Sequence, residues 1–349
     1  MDNAKGAVAL VTGASGFIGG AIARRLDERG FVVRALVRAS SNRGNLRPHY
    51  QIFEGDVTDR DSVRRAMSGV RFVFHSAANY RLWTSDPAAL MRTNVEGTRI
   101  VMEEALAAGV ERIAHTSSVA TLAPDRFGLC DEARRLDPAR TTGPYKRSKI
   151  LSERVVEEMA QRGLPVVIVN PAAPIGPGDI RPTPTGRIVL EALRGNMPAY
   201  VDTGLDVVHV DDVAEGHIAA LERGVVGERY ILGGDHVALG AMLGDIARLC
   251  GRAPPRARLP RALLLPLAFV NELAARITGR EPFLNVESLR LSKTTMFFDD
   301  SKARRDLGYR SRDYKEALAD AVAWFRAQDA AACPQNRVGE FLSRSDRSR

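Results

Sequence analysis

The stretch VALVTGASGFIGGAIARRL, residues 8–26, constrains the chain more than any other. A run of aliphatic residues passes into a turn carrying Gly13, Gly16 and Gly19. A helical pattern follows with Ile18, Ile22 and Leu26 on one face and Gly30 as its stop. The alternation then continues. FVVRALV, YQIF, RFVFHSA and ERIAHTSS read as further strands, a long helix ends at Gly109, and a helix from about Tyr145 to Gln161 leads past Gly163 into PVVIVN. Strand and helix repeated in this order need parallel strands joined by right-handed crossovers. The expected fold class is therefore α/β, a doubly wound parallel sheet (Rossmann fold).

A glycine turn between a first strand and a first helix lets the backbone approach a pyrophosphate, and the helix N-terminus offers it free N–H groups. Dinucleotide binding follows as the expectation, with Ser15, Phe17 and Ile18 completing the turn around Gly13, Gly16 and Gly19. In EGDVTD, Asp56 is placed to accept from an adenine amino group with Val57 beside the ring, or else to form an Asx turn or helix cap. Ala77 and Ala78 in HSAANY are small enough for a cofactor to lie against the backbone at the carboxyl edge of the sheet, and Pro171 ends PVVIVNP at the same edge.

Residues 1–170 are accordingly expected to form the dinucleotide-binding domain. Residues 171–330 form a smaller, mostly helical region that completes the sheet and builds the substrate pocket, and 331–349 a disordered tail. NPAAPIGPGDIRPTPTGRIV, residues 170–189, is dense enough in Pro and Gly to read as an irregular functional loop. LPRALLLPLAFVNELAARI contains two prolines, two arginines and a glutamate, which argues against a membrane span. It reads as a core or pocket-lining helix after Pro266, with a greasy patch for a membrane or a lipid-like substrate as the other reading. Tyr80, Trp83, Tyr200 and Leu263 to Phe269 suit an apolar pocket as well as they suit plain core.

The 45% hydrophobic and 26% charged composition of the 349 residues is that of a globular protein. Three scattered cysteines show no metal spacing and no disulfide framework, so the expectation is a reducing cytoplasm and no metal. The formal charge of +8 suits an anionic ligand, but no basic run with interleaved aromatics supports nucleic acid. His209, Asp211 and Asp212 in VVHVDDVA read as a helix start capped by Asp rather than an acid/base or metal cluster.

PYKRSK sets Tyr145 and Lys149 on one helical face, and HTSS ends the preceding strand with Ser117 and Ser118. A phenol beside an ammonium and a serine hydroxyl support proton transfer coupled to hydride transfer. With Gly13, Gly16 and Gly19, and Asn94 in TNVEGT, these residues resemble the extended short-chain dehydrogenase/reductases, of the NAD-dependent epimerase/dehydratase type, over about residues 7–327. The resemblance implies that Tyr145 is the acid/base. It implies further that Lys149 holds the nicotinamide ribose and lowers the Tyr pKa, and that Ser118, with Ser117 as alternate, orients the substrate oxygen. NYRLWTSDP, RPTPTGRIV, MPAYVDTGLDVVHVDDVAEGH and ERYILGG further resemble the hopanoid-associated sugar epimerases, bacterial relatives of dihydroflavonol reductase, with Ala123 where that pattern usually has glycine.

No Asp or Glu occurs from Phe31 to Phe53, so no carboxylate there can grip a ribose diol, whereas Arg38 at the strand end suits a 2′-phosphate. Ser40, Ser41 or Arg43 would complete that cradle. The resulting expectation is an NADP(H)-dependent oxidoreductase acting on a small molecule, hopanoid-linked or otherwise partly apolar. The alternatives are an NAD-dependent sugar or nucleotide-sugar epimerase and, outside enzymes, an NADP-sensing Rossmann regulator. Peripheral membrane association and a homodimer both stay open.

Overall fold

In a computed structural model, the structure describes residues 5–124, 129–279, 282 and 284–332. The first half runs β1 (Val8–Thr12), α1 (Phe17–Glu28), β2 (Val32–Val37), β3 (Gln51–Glu54), α2 (Arg60–Met67), β4 (Phe72–His75), α3 (Pro87–Met91), α4 (Gly97–Ala107), β5 (Arg112–Thr116), α5 (Pro144–Gln161) and β6 (Val166–Pro171). The second runs β7 (Ala173–Ile175), α6 (Pro184–Arg194), β8 (Ala199–Tyr200), β9 (Gly204–His209), α7 (Val210–Arg223), β10 (Arg229–Leu232), β11 (Asp235–Ala238) and α8 (Leu239–Leu249). It ends with β12 (Ala257–Arg258), α9 (Arg261–Thr278), α10 (Val286–Leu291), α11 (Ser301–Leu307) and α12 (Tyr314–Ala332).

Seven strands form one sheet in the order β10-β6-β5-β4-β1-β2-β3, every pair parallel. Successive side chains of a strand point to opposite faces, and the core divides accordingly. Ala9 and Val11 pack with Ile22 and Leu26 of α1 and with Val210, Ala214 and Ile218 of α7. Leu10 faces the other way, among Val63 and Met67 of α2, Ile100 of α4, and Val156 and Met159 of α5. Each such side chain contributes about 1.5–3 kcal/mol on burial. The strand order reverses between β1 and β4, which opens a crevice at their carboxyl ends. Beyond this sheet, β7, β9 and β11 form a second sheet in the order β11-β9-β7, and α6, α8 and α12 share its core.

Four expectations change. Residues 170–189 are not wholly irregular, because they contain β7 and the start of α6. Thr183 caps α6 through the Gly186 N–H, and Pro184 sits in its first turn, where proline starts a helix rather than breaking it. The long helix before Gly109 is interrupted by a π-helical turn at Arg92–Glu96. The reading of 259–277 as core is overturned: α9 runs from Arg261 through Pro266, and only its small Ala268 and Ala275 are buried. Finally, the helix cap at 209–212 is His209, which accepts from Asp211 N, rather than an aspartate. Helix α12 reaches Ala332, and the tail expectation for 333–349 lies outside the described residues.

Candidate active site

Gly13 has φ +78°, and a Cβ there would stand 2.8 Å from Ala77 N, so the turn and the segment after β4 press backbone to backbone. A Cβ on Gly19 would collide with the Gly13 carbonyl, which already accepts from Gly16 N at 2.8 Å. Gly16 caps α1 without a side-chain hydrogen bond, and the first turn holds no acidic residue. The N–H groups around Phe17 and Ile18 therefore keep their capacity for an anion. Ser15 and Gly16 are also tied to distant chain: Asn45 Nδ2 donates to Gly16 O (3.0 Å), Gly178 O (2.9 Å) and Ser15 O (3.5 Å).

Arg38 lies exposed just beyond β2 and makes no ion pair among the described residues. Arg43, by contrast, is paired with Glu54. The register sets Glu54 beside Val37, so a carboxylate does stand next to the β2 end, delivered by the neighbouring strand and held by Arg43. Asp56 forms an Asx turn, its Oδ1 accepting from Thr58 N (2.9 Å) and Thr58 Oγ1 (2.8 Å). Val57 is buried against Gly97 of α4. Ala77 and Ala78 are half-buried after β4, and Pro171 is buried at the end of β6 opposite Leu232.

Strand β5 and helix α5 bring the second group together. The Ser118 side chain hydrogen-bonds the Tyr145 phenol, while Ser117 is buried with an Oγ that finds no partner among the described residues. Ser118, not Ser117, is thus the serine that meets Tyr145. Burial pushes the Tyr145 phenol above its ordinary value, and the Ser118 hydrogen bond pulls against that shift. Lys149, one turn along α5, is buried and donates to Thr116 O at 2.7 Å. Burial lowers its pKa to about 8, and the carboxylate of Glu153 opposes the shift. In this arrangement the ammonium serves the Thr116 carbonyl, and burial rather than Lys149 decides the state of the phenol.

Three supporting groups were not read from the sequence. Asn94, named there only by resemblance, sits in the π-helical turn. Its Oδ1 accepts from Asn79 N (2.7 Å), and its Nδ2 donates to Asn79 O (2.9 Å) and Ser148 Oγ (2.9 Å). These bonds cross-link the segment after β4 to α5, which explains why the helix widens there. Behind Ser118, buried Glu153 Oε1 accepts from Thr121 Oγ1 (3.0 Å) and Asn170 Nδ2 (2.7 Å), and Asn170 Nδ2 also donates to Ser118 O (3.0 Å).

Beneath Lys149 lie three buried histidines. His75 Nδ1 and Nε2 contact the hydroxyls of Thr12 (2.7 Å) and Thr98 (3.0 Å), and His115 lies with its ring centroid 5.3 Å from that of His75. His217 Nδ1 lies 2.7 Å from Val213 O, which can only accept, so Nε2 (2.9 Å) accepts from Thr116 Oγ1 when the ring is neutral. Burial drives His75 down to about 3 and His217 to about 4, and His115 well below its ordinary value.

The histidine and aspartates at 209–212 are engaged elsewhere: Asp211 pairs with Arg24 and Arg25, and Asp212 with Arg312. Among the described residues no group of three His, Cys, Asp or Glu could hold a metal ion.

A model of the family described as "NAD dependent epimerase/dehydratase family" matches residues 9–233. A protein of Synechocystis sp. named "Putative dihydroflavonol 4-reductase" is 43% identical, over 91% of this chain and 94% of its own length. "Sterol demethylase protein B" of Methylococcus capsulatus is 38% identical, over 91% and 98%. The crystal structure of gox2253, 48% identical, superposes with a TM-score of 0.82 over 92% of this chain and 98% of that one. The chain belongs to the NAD-dependent epimerase/dehydratase family and is an NAD(P)-dependent enzyme of the extended short-chain dehydrogenase/reductase type.

Proposed function

We propose that the protein is an NADP(H)-dependent oxidoreductase. It interconverts a carbonyl and a hydroxyl on a partly apolar, hopanoid-like or other lipid-linked substrate. The observation that carries this reading is the meeting of Ser118 with Tyr145, with Lys149 one turn further along α5 at the carboxyl edge of the sheet. The names of the Synechocystis and Methylococcus relatives, a reductase and a sterol demethylase protein, fit a ketone on an apolar skeleton.

The residues present fit the nucleotide. The uncapped start of α1 would take the pyrophosphate, Arg38 the 2′-phosphate, and Lys149 the nicotinamide ribose. NADPH, when bound, would supply the hydride. Tyr145 Oη, protonated at neutral pH because burial raises it, gives its proton to the substrate oxygen, while Ser118 Oγ–H hydrogen-bonds that same oxygen. Asn170, Thr121 and Glu153 hold the Ser118 carbonyl segment in place. The free thiols of Cys130 and Cys250 suit a reducing cytoplasm.

Calorimetry with both nucleotides tests the cofactor assignment. A charge-assisted hydrogen bond to phosphate is worth ~1.5–3 kcal/mol. Arg38→Ala therefore weakens NADPH binding by about one to two powers of ten, leaves NADH little changed, and raised salt erodes the preference. Equal affinity of the unaltered protein for NADH and NADPH overturns the assignment. It would favour the second reading, an NAD-dependent sugar epimerase, which the Glu54 carboxylate beside Val37 supports once Arg43 releases it.

Lys149→Ala lowers both nucleotide affinity and turnover, because the ammonium that would hold the ribose also fixes the Thr116 carbonyl, two residues before Ser118. Titration of nucleotide into that variant reads the first effect separately, and an unchanged affinity sinks the double role.

A further inference from the structure

We infer that the outward face of α9 docks the protein onto an anionic lipid surface. A surface helix ordinarily turns its apolar stripe inward and its polar residues to water. Helix α9 reverses this. Its buried side is Ala268 and Ala275, and the small Ala268 packs with Val286 and Leu289 of α10. Its water side carries Leu263, Leu267, Val270 and Ile277 in one row, with exposures of 68%, 50%, 62% and 82%, and Phe269 and Leu273 in the row beside it, at 59% and 61%. Apolar residues gathered on one exposed helix mark an interaction surface rather than ordinary scatter.

Charge selects the occupant. Residues 252–278 contain five arginines and one glutamate. The glutamate, Glu272, is turned inward and accepts from Val286 N at 2.7 Å. Arg261 at the start of α9 and Arg276 in its last turn make no ion pair among the described residues, and Arg261 shares a shallow depression with Lys293 and with Asp202. Asp202 is itself paired with Arg258 at 3.5 Å.

A second copy packed on this face would set arginine ends against arginine ends, whether the two helices ran parallel or antiparallel, with no exposed carboxylate on α9 between them. A leaflet of anionic headgroups over acyl chains offers both the apolar bed and the compensating charge. The helix lies on such a surface and does not cross it, since no helix among the described residues is long and apolar enough to span a membrane. At 1.5 Å per residue its 18 residues reach about 27 Å.

The surface is also close to the site. Helix α10, on which α9 rests, presses the Glu287 carboxylate against Gly143, two residues before Tyr145. A substrate resident in the bilayer would meet the phenol two helices, α9 and α10, from the lipid. The docking itself does not depend on the proposed chemistry.

The test is co-sedimentation of the full chain with vesicles of phosphatidylglycerol and phosphatidylcholine in equal parts, and with phosphatidylcholine alone. The protein is expected to sediment with the first, to release in high salt, and to remain in solution with the second. The double substitution Phe269→Asp and Val270→Asp, at exposed positions, is expected to cut partitioning at least about tenfold while leaving thermal unfolding and NADPH affinity unchanged. Wild-type protein that stays in solution with anionic vesicles, or a double variant that sediments as wild type, overturns the inference. So does a wild-type dimer in size exclusion that the double variant converts to monomer, since the face would then belong to a second copy.

Discussion

Tyr145→Phe removes turnover by ~10²–10⁴-fold, the range that positioned acid/base groups contribute, and leaves nucleotide affinity nearly intact. The phenyl ring keeps the packing of a half-buried residue on α5, and only the oxygen that hydrogen-bonds Ser118 is lost. Structure and stability therefore change little, since one neutral hydrogen bond is worth about 1 kcal/mol. The measurement is NADPH oxidation with a carbonyl substrate, set beside a nucleotide titration of the same preparation. Turnover at the wild-type rate would remove Tyr145 from the acid/base role and, with it, the proposed chemistry.

Acid destabilises this protein through its buried histidines well before its surface carboxylates titrate. His75, His115 and His217 all have folded-state pKa values below the ordinary 6.5, because burial penalises the charged ring. Below that ordinary value the unfolded chain takes up protons that the folded chain refuses. Their contribution is thus complete above about pH 6.5 and declines as pH falls, down to about 3 for His75 and about 4 for His217. At about pH 5 His75 and His217 each cost about 2 kcal/mol, together about 4 kcal/mol of a total near ~5–15, and His115 acts in the same direction. Asp179, raised to about 6 by burial, takes up its proton in the folded chain over the same range and offsets about 1 kcal/mol. Urea midpoints measured at about pH 7 and pH 5 read the loss. His217→Gln, which keeps hydrogen-bonding capacity without titrating, should flatten the dependence by about 2 kcal/mol. An equal slope in variant and wild type would show that His217 is not held neutral.

The first half of the fold was legible because its evidence is local. The glycine turn at 13–19, the aliphatic strands and the helix stops at Gly30, Gly109 and Gly163 each announce themselves within a few residues. Tyr145 and Lys149 were legible for the same reason, being one helical turn apart. What escaped depends on chain brought from far away. Asn45 reaches Gly178, Asn94 reaches Asn79 and Ser148, and Glu54 arrives beside Val37 only through strand pairing. Helix α9 is the instructive failure. A sum of apolar residues cannot tell inward from outward: of the four alanines of α9 only Ala268 and Ala275, seven residues apart, lie in the seam that packs.

The all-parallel sheet also governs how the chain comes together during synthesis. No pair of its strands can close as a hairpin, so each ladder waits for an intervening crossover, and contacts such as Thr12 with His75 span more than sixty residues. Six strands are complete once residue 171 has left the ribosome, yet the seventh, β10, is not delivered until residue 232. Throughout that interval β6, whose six residues are all buried in the finished fold, is an open apolar edge. The nascent enzyme is most exposed to aggregation there, and a chaperone that shields a strand edge would have its greatest effect on yield while those sixty-odd residues are being made.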